Sequence, residues 1–253
     1  MPSAAIPNER NLLINPLHPD FGKVILERAV KFPFDRRFTA TLESAWILLG
    51  QQLRKPAGFS GRLLAQAMGL LNKRSNRIAI AALDITANDT VLELGFGAGH
   101  AIKAIAGAAT KGRVFGIDHS PAMSLKASRL NRRAIQDGRV HLVEGKLDTL
   151  PWQDGTIDKC LAVHVAYFMD AKEVREARRV LRFGGSFALF VTDKAAMAHW
   201  KFAHPSTHRQ FTVGDLMTLL LDGGFSREDM CLQSVSLGTA IPGILALATK
   251  AAP

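Results

Sequence analysis

Cysteine is nearly missing from this 253-residue chain: Cys160 and Cys231 are the two present. They fit neither a metal-ligand spacing nor a disulfide framework, and both fall in strand-like runs. They read as buried, reduced thiols of a cytoplasmic protein. Long hydrophobic runs are missing too. Ala45-Trp46-Ile47-Leu48-Leu49 is far short of the ~20 apolar residues that cross a bilayer. The opening Met1-Pro2-Ser3-Ala4-Ala5 lacks a basic segment followed by an apolar core, so no secretory signal is expected. Charge is unbalanced, at +10 net, yet there is no long basic run and no alternation of aromatic with basic residues. A basic surface can serve nucleic acid, anionic lipid or an acidic substrate. Scattered lysines and arginines favour a solvated basic surface over a nucleic-acid partner. With 47% hydrophobic and 21% charged residues, the composition is that of a globular protein with a core in one domain plus an extension.

What is present is concentrated in Val91-Leu92-Glu93-Leu94-Gly95-Phe96-Gly97-Ala98-Gly99-His100. An apolar run with one acid reads as a strand buried on both faces. It meets three glycines at alternate positions, where backbone N–H groups can approach a ligand without a Cβ between. A helical pattern starts at His100 and would aim unpaired N–H groups at the same spot. The dinucleotide fingerprint is G-x-G-x-x-G; here the third glycine comes one residue early and His100 takes its place. Glu93, near the end of the strand, suits a ligand with a positive amine better than a pyrophosphate. Val114-Phe115-Gly116-Ile117-Asp118 reads as a second buried strand. Its terminal acid is placed to accept both hydroxyls of a ribose, whichever adenosine ligand that is.

The pattern E-x-G-x-G-x-G resembles motif I of the class I S-adenosylmethionine-dependent methyltransferases, and the likeness continues in order. Ser120-Pro121-Ala122-Met123 resembles the family's start of the next helix, with Ser120 as cap and Pro121 in the first turn. Val140–Gly145 reads as a third strand, Leu150-Pro151-Trp152 resembles an L-P-F segment, and Asp158–His164 reads as a fourth strand and its exit. Glu176 to Gly185 resembles E-x-x-R-V-L-x-P-G-G, with Phe183 in place of proline. The resemblance covers residues 90 to about 192 and implies S-adenosyl-L-methionine as cofactor. It implies cofactor contacts from Glu93, Gly95, Phe96, Gly97, Gly99, Asp118, His119, Leu147 and Val163. One departure falls in this set: Gly145-Lys146-Leu147-Asp148 carries Lys146 where the family places an acid for the adenine amino group. Lysine cannot accept a hydrogen bond. Either Asp148 takes over, or backbone groups such as that of Leu147 hold the adenine.

A fifth strand is expected at roughly Ser186–Val191, a helix from about Phe211 to Gly223-Gly224, and last strands at Leu232–Val235 and Ile244–Thr249. The expected fold is α/β: a Rossmann-like, seven-stranded, mostly parallel sheet with an antiparallel last strand and helices on both faces. Residues 1–57, broken by proline and then helical from Thr39 to Lys55, form an N-terminal extension. The methyltransferase domain is expected at 58–253. The extension packs on the core or, alternatively, offers a partner or homodimer surface. A helix from Ser60 toward Leu83 has an apolar stripe and a basic face; it packs beside the cofactor site or, alternatively, contacts a membrane peripherally.

His164, at the exit of the fourth strand, is the candidate general base or acceptor-orienting group, because histidine titrates near neutrality. A histidine that only hydrogen-bonds its loop is an equal alternative. Tyr167, His199 and Trp200 are candidate contacts of an acceptor pocket. His199, His204 and His208 have a spacing that invites a metal, but no acid or cysteine completes a set and none is expected. The N-P-P-Y-like motif of nucleic-acid amino methyltransferases is replaced by Val163-His164-Val165-Ala166-Tyr167. The expected reaction is methyl transfer to a small-molecule acceptor through oxygen, nitrogen or carbon. The alternatives are a non-catalytic S-adenosylmethionine-binding protein and a nicotinamide-dependent oxidoreductase.

Overall fold

A computed structural model describes residues 72–197, 208–236 and 242–252. All belong to one compact unit, Gly50–Pro253. The expected extension, the boundary at 57/58 and most of the helix expected from Ser60 lie outside the described residues.

Helix α1 (Lys73–Ala82) leads into strand β1 (Thr90–Leu94). Then come α2 (His100–Ala108), β2 (Arg113–Asp118), α3 (Pro121–Leu130), α4 (Arg132–Gln136) and β3 (Val140–Glu144). The second half runs β4 (Ile157–Val163), α5 (Ala171–Val180), β5 (Leu181–Thr192), α6 (Lys194–Met197), α7 (Val213–Asp222), β6 (Met230–Ser236) and β7 (Pro242–Thr249). Seven strands form one sheet in the order β3-β2-β1-β4-β5-β7-β6. The first five pair in parallel, while β7 runs antiparallel to both β5 and β6. The strand order reverses between β1 and β4, and in open sheets of this kind ligands bind at the carboxyl ends beside that switch.

Burial follows the pleat. On β5, Phe187, Leu189 and Val191 enter one core with Val174 and Ala177 of α5 and Leu216, Leu219 and Leu220 of α7. The alternating Ala188 and Phe190 enter a second core with Ala79 of α1 and Ala101, Ile102 and Ile105 of α2. Strand β1 divides the same way, with Val91 on one face and Leu92 and Leu94 on the other. This two-sided burial is what an uninterrupted apolar run predicts. Phe190 closes the packing so tightly that a Cβ on Gly243 of β7 would sit 2.5 Å from its ring.

Three local expectations need correction. Ser120 occupies the N-cap position of α3, but its side chain makes no capping bond. Its backbone N–H instead donates to Asp118 Oδ1 at 2.9 Å. Cys231 is exposed, because β6 is an edge strand, whereas Cys160 in β4 is buried as expected. Strand β5 begins at Leu181 rather than Ser186, held there by the bonds Gly184 N–H to Lys250 O and Lys250 N–H to Gly185 O. Among the described residues no helix is long and apolar enough to cross a membrane.

Candidate active site

The glycine turn after β1 has three different reasons for its three glycines. All three adopt left-handed backbone angles, at φ +68°, +51° and +79° for Gly95, Gly97 and Gly99, which only glycine adopts without strain. At Gly95 a Cβ would lie 2.5 Å from the Val165 side chain, so glycine lets the exit of β4 press on the turn. At Gly99 it would lie 2.7 Å from Ala127 Cβ, so glycine lets α3 pack on the start of α2. At Gly97 it would meet nothing within 4 Å. That open side is where a ligand can approach the backbone. Phe96 points its side chain away, into the core against Gly116 of β2; only its backbone faces the turn.

Asp118, at the end of β2, is buried and ties the turn in place. Its Oδ2 accepts from Gly97 N–H and its Oδ1 from Ser120 N–H, both at 2.9 Å. Each oxygen keeps acceptor capacity for a ribose hydroxyl. Next to it, His119 is half-exposed, with Nδ1 3.8 Å from Asp118 Oδ1.

Glu93 is the unusual group. It is 4% exposed, and its Oε2 is buried with no hydrogen-bond partner. Burial pushes its carboxyl well above the ordinary carboxylate range, and the neighbouring Asp118 charge pushes the same way; the Ile102 N–H on α2 opposes them. A buried, half-satisfied carboxylate is costly and needs a partner. A cationic ligand group would supply it.

On the other side of the switch, His164 follows β4 with φ +58°, an uncommon left-handed angle for a non-glycine residue. Its Nδ1 lies 3.0 Å from Tyr167 Oη and its Nε2 3.1 Å from Ser75 Oγ on α1. Tyr167 Oη in turn accepts from Thr192 N–H at 2.7 Å. Burial lowers the His164 imidazole to about 4 and raises the Tyr167 phenol to about 12. Both side chains are therefore neutral at physiological pH. Around Tyr167 stand Phe168, His208 and Phe211, with ring centroids 6.0–6.4 Å from its ring.

The structure thus brings Glu93, the three glycines, Asp118, Val163, His164 and Tyr167 to one edge of the sheet. After β3, Lys146 is exposed, Leu147 packs against the core, and Asp148 pairs with Lys172 at 3.4 Å. His199 and Trp200 lie outside the described residues. Among the described residues no group of histidine, cysteine and acidic side chains could hold a metal.

Four supporting residues escaped the sequence reading. Asn131 Nδ2 donates to Gly99 O at 3.0 Å and Ala127 O at 2.9 Å, locking the turn to α3. Val165, Ser75 and Thr192 act only through long-range contacts, and no local pattern marks them. The structure also explains two family-like segments as one network. Glu176 Oε2 accepts from Leu150 N–H, while Arg179 donates to the carbonyls of Leu150 and Trp152 and pairs with Glu176 and Asp154. The L-P-W and E-x-x-R segments are two halves of that staple.

With this geometry in place, comparison with known proteins is consistent. Residues 92–189 match the model of a methyltransferase domain. YrhH of Bacillus subtilis (strain 168), a methyltransferase by designation only, is 32% identical over 48% of this chain and 67% of its own length. The chain belongs to the class I S-adenosylmethionine-dependent methyltransferase family. Solved structures agree on the fold. A chain of the Haloferax volcanii complex between the Trm112 methyltransferase activator and a methyltransferase superposes with TM-score 0.63 at 20% identity, covering 74% of this chain and 94% of that one. Geranyl diphosphate methyltransferase in complex with SAM superposes with TM-score 0.60 at 14% identity, covering 79% and 94%.

Proposed function

We propose that this chain binds S-adenosyl-L-methionine at the carboxyl edge of β1, β2 and β4 and transfers its methyl group to a small-molecule acceptor. The observation that carries the proposal is the buried, unpartnered Glu93 oxygen beside an open Gly97. Glu93 would meet the amino end of the cofactor and Asp118 the ribose hydroxyls. Gly95, Gly97, Gly99 and the backbone of Phe96 would line the chain between them. His119, Leu147 and Val163 would border the adenosine.

When bound, the cofactor supplies a methyl group on a positive sulfonium, and the thioether that departs is neutral. The protein's work is therefore alignment, exclusion of water and, for an alcohol or phenol acceptor, proton removal. The hydrogen bonds favour an orienting role for His164 over that of a base. Thr192 N–H donates to Tyr167 Oη, and His164 shares one hydrogen bond with that phenol through Nδ1 and another with Ser75 Oγ through Nε2. With both ring nitrogens engaged and the ring neutral, His164 holds α1 against the β4 exit and fixes the acceptor side of the site. Tyr167 stands there as a wall of the pocket, with His199 and Trp200 proposed to complete it. The catalytic unit is proposed to span 58–253, with 1–57 as an extension.

Lys146 favours one second reading, a binding protein without catalysis. The side chain at the usual acid position is exposed and basic, and Asp148 is already paired with Lys172. Release of S-adenosylhomocysteine in the presence of small phenols, amines and carbon nucleophiles separates the two. Acceptor-dependent release supports transfer. Cofactor binding with no release from any acceptor class supports the binding protein.

A further inference from the structure

The edge of the sheet opposite the glycine turn carries a concavity. An open cleft of about 730 Å³ lies beside the C-terminal turns of α5 and α7, the start of β5 and the residues after β7. Arg175, Arg178, Arg179 and Lys250 line it, against the acids Asp154 and Asp229. Three of these cations already hold the fold. Arg179 belongs to the Glu176–Asp154 staple, Arg175 donates to the Asp222 carbonyl at the end of α7, and Lys250 Nζ donates to the carbonyls of Arg179 and Leu181 at the end of α5.

Arg178 has no such employment. No acid lies within 4.0 Å of its side chain among the described residues, and its Nε is buried with no hydrogen-bond partner. Its guanidinium carbon lies 6.0 Å from the Phe225 ring centroid. Lys250 is held below the ordinary lysine range, by burial first and by the Arg178 charge second. Asp154 offsets part of this repulsion at Lys250, but Arg178 has no ion-pair partner among the described residues, and two like charges in a partly desolvated cleft are relieved when an anion joins them. At the rim, Phe183 is 55% exposed and Lys250 Nζ lies 5.1 Å from its ring centroid. This is the position at which the family pattern has proline. Its ring offers an apolar, planar face next to the cations.

We propose that this cleft binds a small molecule bearing a phosphate group, with Arg178 as the main phosphate ligand and Lys250 and Arg175 as flanking charges. The exposed Phe183 ring takes an apolar or planar part of the same molecule. Arginine suits the role because its planar fork matches a phosphate with two parallel bonds. The site is separate from the cofactor edge and does not depend on methyl transfer.

Calorimetric titration of the full chain with phenyl phosphate and inorganic phosphate, at low ionic strength with chloride as control, tests this. Phenyl phosphate is expected to bind more tightly than inorganic phosphate. Arg178→Gln is expected to weaken both by about tenfold or more. Phe183→Ala is expected to remove the advantage of phenyl phosphate while leaving inorganic phosphate unchanged. Should Arg178→Gln fail to fold, Arg178→Lys, which keeps the charge and loses the fork, together with Phe183→Ala carries the test. Absence of binding by the wild type, or equal binding by the folded Arg178 and Phe183 variants, would overturn the proposal. So would displacement of phenyl phosphate by S-adenosylhomocysteine, which would place the phosphate at the glycine turn instead.

Discussion

Replacing Glu93 by glutamine should stabilise the ligand-free protein while weakening its hold on the cofactor, and the two effects have one cause. The carboxyl is buried, one of its oxygens has no partner, and its pKa is raised by burial and by Asp118. The group carries its folding cost at pH values above the unfolded carboxyl range. Below that range the carboxyl is protonated in both states and contributes nothing. As pH rises through the raised folded value, the full penalty develops. At pH 7 the cost cannot exceed that of taking up a proton from an unfolded carboxyl titrating near ~4.3, which is about 4 kcal/mol. Glutamine never ionises, so Glu93→Gln should gain stability at pH 7, by no more than that ceiling. That corresponds to a Tm rise of ~2–4 °C per kcal/mol for a domain of this size. The gain should vanish as pH falls toward 4. Toward S-adenosylmethionine the sign reverses, because a neutral amide cannot pair with the ammonium end; a loss of about 1.5–3 kcal/mol is expected. In the wild type, cofactor binding should release a proton while pH is below the raised Glu93 value, so affinity should rise with pH. Thermal melts across pH and calorimetry in two buffers of different ionisation enthalpy read both effects. A variant destabilised at pH 7, or one binding the cofactor as tightly as wild type, would refute the reasoning.

Other consequences are equally direct. Asp118→Ala should cost cofactor affinity at least tenfold and also about 1–3 kcal/mol of stability, because the Gly97 and Ser120 N–H groups lose their acceptor; unchanged melting would count against the observed network. Gly97→Val, at a left-handed position with open space around its Cβ, should fold but lose most cofactor binding; a competent variant would move the ligand away from this turn. Gly99→Ala should cost about 1–3 kcal/mol by straining the left-handed backbone and pushing α3 off α2, measured by denaturant unfolding, and a neutral effect would contradict both the turn geometry and the contact. For His164, the lowered value of about 4 means that its contribution to stability is complete above about 6.5 and is lost as pH falls toward 4. Turnover should therefore show no limb near pH 6.5 that disappears in His164→Asn; such a limb would restore its role as a base.

The parts of the fold readable in the sequence are those where burial is symmetric or backbone geometry is extreme. Val91–Leu94 and Val114–Asp118 read as strands because helices cover both faces of the sheet, and the alternate glycines announced a turn that indeed needs left-handed angles. The opening of β5 was illegible. Arg182, Phe183 and Gly184 are exposed there, and the strand is set by backbone bonds to Lys250, which leave no periodicity to read. Cys231 was misplaced for a related reason: an apolar-looking run on an edge strand resembles a central one until its neighbours are known. In the site, Glu93 and Asp118 could be singled out by type and position. Their environments could not. The unpartnered Glu93 oxygen, the Asn131 lock and the Ser75–His164–Tyr167–Thr192 chain depend on residues tens of positions apart, and such contacts leave no mark in local composition.

Calorimetric titration with S-adenosylmethionine and S-adenosylhomocysteine, run beside NAD and NADP, tests the central claim most directly. Saturable binding of both sulfur ligands, with neither dinucleotide bound, is the predicted result. Preference for a dinucleotide, or no binding of either sulfur ligand, would contradict the assignment of Glu93, the glycine turn and Asp118 to this cofactor.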